Sequence, residues 1–364
     1  MNFFKKFLKK DNPIKSNADF WNWFIKNEKS FFKVIKEQGD VNRLFFIDLS
    51  KKLNELKSGY WFLAGMFDED TAELILTADG DLKNIAFVED LVEEAPQIKG
   101  WKITALKQES GFENQGIEID DYKFSKDTLR FYSNDLNNYP DEIDITITHK
   151  SLSEDNRIDI TNGIYLFLDN ALGELNSVSI IDNLSVVNTS VATSDLVPIE
   201  KLKDFLIWRE KEFIEKYDGL RHSTEKDSYS AFEASMESGL PLLAVVNTDL
   251  LQWDSKASHP WVAVLEMEYT GLSNNGMPDE ETYNLLNIIE DEVLQELKDS
   301  KGYLNIGRQT ADNTREIYFA CTDFRKPSKV FYQIQTKYSG KLKVSFDIYK
   351  DKYWQSFDRF YRGK

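Results

Sequence analysis

Histidine and cysteine are almost missing from this chain: 364 residues contain three histidines, His149, His222 and His259, and one cysteine, Cys321. A lone cysteine excludes an internal disulfide and fits a reducing compartment, so a cytoplasmic location is expected. No His-x-x-x-His or Cys-x-x-Cys spacing occurs, which removes the usual ligand sets of a transition-metal centre. The acidic pairs Asp68/Asp70 and Asp79/Asp81 lack the spaced oxygens and terminal Glu of a calcium loop, and turn or capping roles account for them. There is no Gly-x-Ser-x-Gly, Gly-x-Gly-x-x-Gly or Gly-x-x-x-x-Gly-Lys, hence no nucleophile elbow and no phosphate loop. No metal or cofactor is expected, and an enzymatic role is not favoured. No segment approaches the ~20 apolar residues of a membrane helix. Positive charge is also short, with 45 Lys and Arg against 62 Asp and Glu and a net charge of −17. Such a chain repels phosphate backbones, so nucleic acid is not expected as a partner, whereas a basic protein is.

Aromatic side chains are plentiful, with 25 Phe, 16 Tyr and 8 Trp, and the hydrophobic share of 41% suits ordinary globular cores. The length accommodates two or three domains. Ser16 with Asp19 resembles a capping box and opens a helix burying Phe20, Phe24, Phe31 and Ile35. A second helix over residues 41–57 leads to strands at 60–67 and 72–77. Val88, Leu91, Val92 and Ala95 then recur at helical spacing over 84–95, and Trp101, Ile103 and Ala105 alternate as a strand does. Residues 111–121 read as a loop. Strands at 129–132 and 143–148 follow, the second alternating Ile143, Ile145 and Ile147 with polar residues, before a helix at 162–175 and a strand at 178–187.

A boundary is expected near residues 193–198. Beyond a charged helix at 199–217, strands are expected at 229–236, 242–247 and 261–269. Pro278 sits where the first helical position should be, and the helix it opens buries Leu286, Ile289, Val293 and Leu297. Strands at 303–308 and 316–321, a helix after Pro327 and a strand at 342–349 complete a β-α-β-β-α-β order, the ferredoxin-like pattern. The expectation is therefore an α+β protein of two domains with antiparallel or mixed sheets covered by helices, an N-terminal one over 16–195 and a ferredoxin-like one over 196–364.

Residues 1–15 stand apart. Phe3, Phe4, Phe7 and Leu8 fall on one helical face and Lys5, Lys6, Lys9 and Lys10 on the other, a pattern that suits an anionic membrane surface or docking on the protein itself.

The second block resembles a bacterial family of unknown function, family 695. The resemblance is carried by Met277 to Glu281, Gly307 to Thr310 and Arg315 to Tyr318, and it extends over residues 201–361. The first block is similar to an uncharacterised domain of related bacterial proteins through residues 73–80, 88–96, 101–107 and 168–174. The resemblance implies no catalytic residue.

Six residues stand out as candidates for binding. Arg308, Asn313 and Arg315 bracket a tight hairpin where two guanidinium groups could clamp a carboxylate or phosphate, or instead pair across the strands with Glu316 or Asp323. His259 and Trp261 open a strand, and Trp354 belongs to a polar-aromatic C-terminal run of the kind found at interfaces. The basic stretch 341–364 invites pairing with the acidic helix at 279–296. The favoured expectation is a non-enzymatic protein-binding or regulatory module with an acidic surface. Its competitor is a small-molecule enzyme with a site in an interdomain cleft. A broad apolar patch without a deep polar pocket would favour the first; a concavity with converging charges and displaced pKa values would favour the second.

Overall fold

The computed structural model of the protein describes residues 13–113, 116–271 and 274–360. Phe3, Phe4, Phe7 and Leu8 lie outside the described residues. The protein is α+β, and its contacts divide it into two compact units, Met1–Lys107 and Gln108–Lys364.

The first unit begins with α1 (Asn17–Lys36), whose Ser16 cap accepts from the Asp19 amide at 3.1 Å, while Asp19 reaches back to the Lys15 amide. Half of the capping box is thus made as expected, and the reciprocal bond falls one residue earlier. Phe20, Phe24, Phe31 and Ile35 are all buried. A π-helical turn, Asn42–Phe46, leads into α2 (Ile47–Leu56), and Phe45, Leu49 and Leu53 face inward. Strands β1 (Trp61–Met66) and β2 (Ala72–Thr77) form a hairpin. Helix α3 (Leu82–Glu93), capped by Asp81, then carries the chain to β3 (Trp101–Ala105), which pairs with β2 in parallel. The core is aromatic: the Phe31 and Phe45 rings stack at 4.4 Å and Trp101 meets Phe24 edge-on at 5.0 Å. Each such buried ring contributes roughly 1.5–3 kcal/mol of transfer free energy.

The second unit contains two further sheets and a small hairpin. The hairpin is β4 (Gly116–Ile119) with β5 (Tyr122–Ser125), in the stretch read from sequence as a loop. Short strands with Gly116 at one end and an Asp120 turn at φ 51° give little alternation to detect. Next come β6 (Leu129–Asn134), β7 (Asp144–His149), α4 (Arg157–Leu172), α5 (Glu174–Ser179), β8 (Asn183–Asn188) and the short β9 (Val197–Pro198). Their sheet has the order β8-β7-β6-β9, with β7 and β8 parallel. Both faces of β7 are buried: Thr146 and Thr148 are as enclosed as Ile145 and Ile147.

After α6 (Leu202–Tyr217), a six-stranded antiparallel sheet is built from β10 (Tyr229–Ser235), β11 (Pro241–Asn247), β12 (Trp261–Glu268), β13 (Tyr303–Ala311), β14 (Thr314–Cys321) and β15 (Lys343–Lys350). Its order is β10-β11-β13-β14-β12-β15. The short α7 (Thr248–Leu251) follows β11, α8 (Glu280–Glu296) joins β12 to β13, and α9 (Arg325–Tyr338) joins β14 to β15. Asp279 caps α8, its carboxylate accepting the Thr282 amide at 2.8 Å, so Pro278 precedes the cap instead of taking the first helical position. Leu286, Ile289 and Val293 of α8 are buried, as are Val330, Phe331 and Ile334 of α9. A second apolar cluster combines Val262, Val264, Leu304 and Ile306 with Trp354, Phe357 and Phe360 of the C-terminal turn. The acidic α8 takes its lysines from α9, through Lys337 to Glu292 and Lys326 to Glu296.

Contacts therefore break at 107/108 rather than at the boundary read from sequence, where β9 pairs with β6 and ties residues 197–198 into the four-stranded sheet. The sequence reading also placed in one domain the strands that form separate three- and four-stranded sheets, because strand composition does not say which strands pair.

Gly307 sits at a bulge in β13 with φ +145°, and a Cβ there would collide with the backbone of Val245 and Val246. Gly307→Ala should lower unfolding stability by about 2–4 kcal/mol through strain and overpacking, measured by urea denaturation.

Candidate functional site

Strand β15 ends at Lys350, directly across from Trp261 on β12. The chain then turns, with the Asp351 amide bonded to the Pro260 carbonyl at 2.8 Å and its carboxylate accepting the Gln355 and Ser356 amides. Lys350 ends β15 and Lys352 lies two residues on, in the turn. Both reach one carboxylate, Asp182, at 2.7 Å from Lys350 to Oδ1 and 2.7 Å from Lys352 to Oδ2.

Asp182 immediately precedes β8. It is fixed to the start of β7 from both sides: its amide donates to the Ile143 carbonyl, and its Oδ2 accepts the Ile143 amide at 2.6 Å. Lys350 also donates to the Ile180 carbonyl at 3.0 Å and Lys352 to the Asp141 carbonyl at 2.6 Å. The Asp141 carboxylate accepts from Lys216, Tyr217 and Tyr353 at 2.7–2.9 Å. Glu142 accepts from Asn183 at 2.8 Å and Gln355 at 3.0 Å.

Lys350, Glu142 and Asp141 are displaced from their ordinary pKa values. Burial brings the Lys350 ammonium down to about 8, against the opposing pull of Asp182 and helped by Lys352. Burial raises Glu142, and the Asp182 charge adds to the effect, favouring the protonated acid. Burial also works to raise Asp141, but its bonds to Lys216, Tyr353 and Tyr217 hold it below the usual carboxylate range. Three charges withdrawn from water are poor stabilisers, since apolar packing of the same volume does as well or better. Displaced pKa values beside a concavity make this a candidate functional site.

Two cavities flank the lysines. The larger, about 610 Å³, is polar and includes Tyr139, Glu142, Asp144, Asp182 and Ser185. The smaller, about 280 Å³, is walled by Phe213, Trp261 and Phe324, with Glu210, Asp323 and Arg325 beside them. Lys350 and Lys352 line both. Lys350 lies 5.8 Å from the Trp261 ring and Lys352 4.5 Å from the Phe213 ring.

The residues singled out in the sequence fall into three places. Trp261 lines the smaller cavity. His259 and Trp354 are fully buried and joined, the Trp354 indole donating to the His259 carbonyl at 2.9 Å. His259 accepts or donates at Nδ1 with Ser258 at 2.8 Å, while its Nε2 has no partner among the described residues. The arginines turn from the hairpin toward α8: Arg308 pairs with Glu290 at 2.7 Å, not with Glu316 or Asp323. Arg315 is buried, bonded to Asn287 and Thr310 and set 5.0 Å from the Tyr283 ring. Asn313 completes the two-residue turn with Asp312, both at positive φ, and accepts the Gly271 amide at 2.8 Å. Arg308, Asn313 and Arg315 therefore do not meet Trp261. Asp182, Lys350 and Lys352 were not anticipated. The spacing of the two lysines was visible, but Asp182 lies 170 residues from Lys352.

Fold and site together define an α+β protein whose second unit holds a polar, charge-lined cleft beside an aromatic cavity. Residues 231–361 match a protein-family model described as "Family of unknown function (DUF695)". This confirms the family resemblance for the C-terminal region, over a shorter stretch than residues 201–361. No curated protein and no solved structure matches the chain. Among the described residues no group of histidine, cysteine and acidic side chains could hold a metal ion, and no helix is long and apolar enough to cross a membrane.

Burial, together with the positive charges of Arg221 and His222, lowers His259 to about 4 from its ordinary 6.5. The unfolded chain takes up this proton first, so the stability associated with neutral His259 is complete above 6.5 and is lost as pH falls through 4. Urea midpoints measured between pH 7 and 4 should fall less steeply for His259→Leu than for the natural chain.

Proposed function

We propose that the second unit is a small-molecule-binding module whose site is the cleft around Lys350, Lys352 and Asp182. One observation carries this reading: two lysines and an aspartate converge in a buried position between two cavities, where Lys350 is held near 8 and Glu142 is raised. The concavity, the converging charges and the displaced pKa values are those expected of a small-molecule site, and binding is the step proposed here. A ferredoxin-like core is supported by the element order β12-α8-β13-β14-α9-β15 and the neighbouring order β13-β14-β12-β15. The single cysteine supports a cytoplasmic location.

Thermal-shift screening of a broad metabolite library should find compounds that raise the midpoint by a few degrees, since ligand at 100 times its Kd adds about 2.7 kcal/mol. These shifts should shrink in Lys352→Met and Trp261→Leu. A library without hits, or hits equally strong in both variants, would overturn the reading.

A second reading concerns the first unit, which we propose docks a basic protein. On the edge strand β1, Trp61 and Leu63 are exposed on one face, with Phe67 beyond it, next to the exposed acidic turn Asp68 to Asp70. Affinity capture at low salt should retain a basic protein that salt releases and that Leu63→Asp fails to retain. Recovery of the natural chain alone would overturn this reading.

A further inference from the structure

The two cavities beside the lysines differ in charge. The larger is lined by Lys350 and Lys352 and by four acids, Glu142, Asp144, Asp182 and Asp351. The smaller has Lys350, Lys352 and Arg325 against Glu210 and Asp323. Counting only the groups that line each, positive charge prevails by one in the smaller cavity and negative charge by two in the larger, while Asp182, paired with both lysines, lines only the larger.

Donor arithmetic sharpens the contrast. A lysine ammonium has three N–H donors. Lys350 directs one to the Ile180 carbonyl and lies in an ion pair with Asp182 Oδ1, an oxygen that takes no hydrogen bond among the described residues. Lys352 directs one to the Asp141 carbonyl and one to Asp182. Each ammonium therefore keeps at least one N–H that no described residue takes up, at the wall of a cavity both lysines line. Beside them the smaller cavity has an aromatic wall: Trp261 and Phe324 meet edge-on at 5.0 Å, and the Phe213 ring lies 4.5 Å from Lys352.

Resting on the small-molecule reading above, we propose that the smaller cavity receives an amphipathic acid. Its carboxylate or phosphate monoester accepts the remaining N–H groups of Lys350 and Lys352, and its ring or aliphatic body packs against Trp261 and Phe324. The shape supports this division. A cavity of about 280 Å³ takes a single ring with a short acidic arm, and a charge-assisted bond in a desolvated site is stronger than a neutral one. The larger cavity, with its acidic excess, repels the same anion and so favours entry on the aromatic side.

The test uses the full chain and five probes: 3-phenylpropionate, phenyl phosphate, 3-phenylpropan-1-ol, 3-phenylpropylamine and inorganic phosphate. Binding is read by isothermal titration calorimetry and by tryptophan fluorescence. At least one of the two aryl acids should bind tenfold or more tightly than the alcohol, and the amine should not bind. The stronger of the two acids tells a carboxylate ligand from a phosphate one, and inorganic phosphate should bind more weakly than the aryl acid. Lys352→Met should remove the preference for acid over alcohol. Trp261→Leu, whose fold circular dichroism and the thermal midpoint would check, should weaken the aryl acid at least fivefold and serves if Lys352→Met does not fold. Alcohol or amine binding as tight as the acid, and sensitive to Trp261→Leu, would overturn the ligand class while leaving the cleft as a site. Acid binding unchanged in Trp261→Leu, or no binding by any probe, would overturn the proposal. The library screen above decides separately whether the cleft binds small molecules at all.

Discussion

A carboxylate taken out of water must be compensated where it lies, and Asp182 meets this demand with two ammonium groups and a backbone amide. The demand acts on both sheets of the second unit. The lysines come from the end of β15, and the carboxylate comes from the chain just before β8, anchored on β7. Removing one partner from such a buried set leaves an uncompensated charge at a penalty of about 3–5 kcal/mol. The same desolvation moves Lys350 and Glu142 away from their ordinary pKa values. Structural fixation and chemical tuning here have one physical source.

The six-stranded sheet can present this site because both of its faces are covered. Helices α8 and α9 contribute buried Leu286, Ile289, Phe331 and Ile334, and the C-terminal turn contributes Trp354, Phe357 and Phe360 to the apolar cluster that contains Val262 and Ile306. The turn that buries Trp354 follows Lys352 directly, and the bond from the Trp354 indole to the His259 carbonyl holds it one residue from Pro260, which accepts the Asp351 amide. Core packing thereby sets where the two lysines leave the sheet. Arg308 and Arg315 serve the sheet differently, joining β13 and β14 to α8 through Glu290 and Asn287.

Much of the fold was legible because periodicity is a local property. The buried face of α1 was read correctly from Phe20, Phe24, Phe31 and Ile35, and the span of β2 was read as it stands. The β-α-β-β-α-β order of the C-terminal block was also readable, since long amphipathic segments alternate there with apolar strands. Less was legible where the local signal was short or doubled. The four-residue strands β4 and β5 carry too few alternations to detect, and β7 buries threonines on its second face where a half-exposed strand was expected. Of the candidate residues only Trp261 lies on the cleft. Aromatic and charged residues near strand ends were visible, but the partner each would face was not.

The sequence by itself determined the α+β class, the absence of metal-ligand and nucleotide-loop spacings, the acidic balance and most of the helices and strands, because each depends on composition or on neighbours a few residues apart. Tertiary structure alone decided which strands pair, where contacts break, and that Asp182 meets Lys350 and Lys352. Strand pairing joins residues far apart in the chain, and a buried charge acquires its partner and its pKa only when folding removes the water between them.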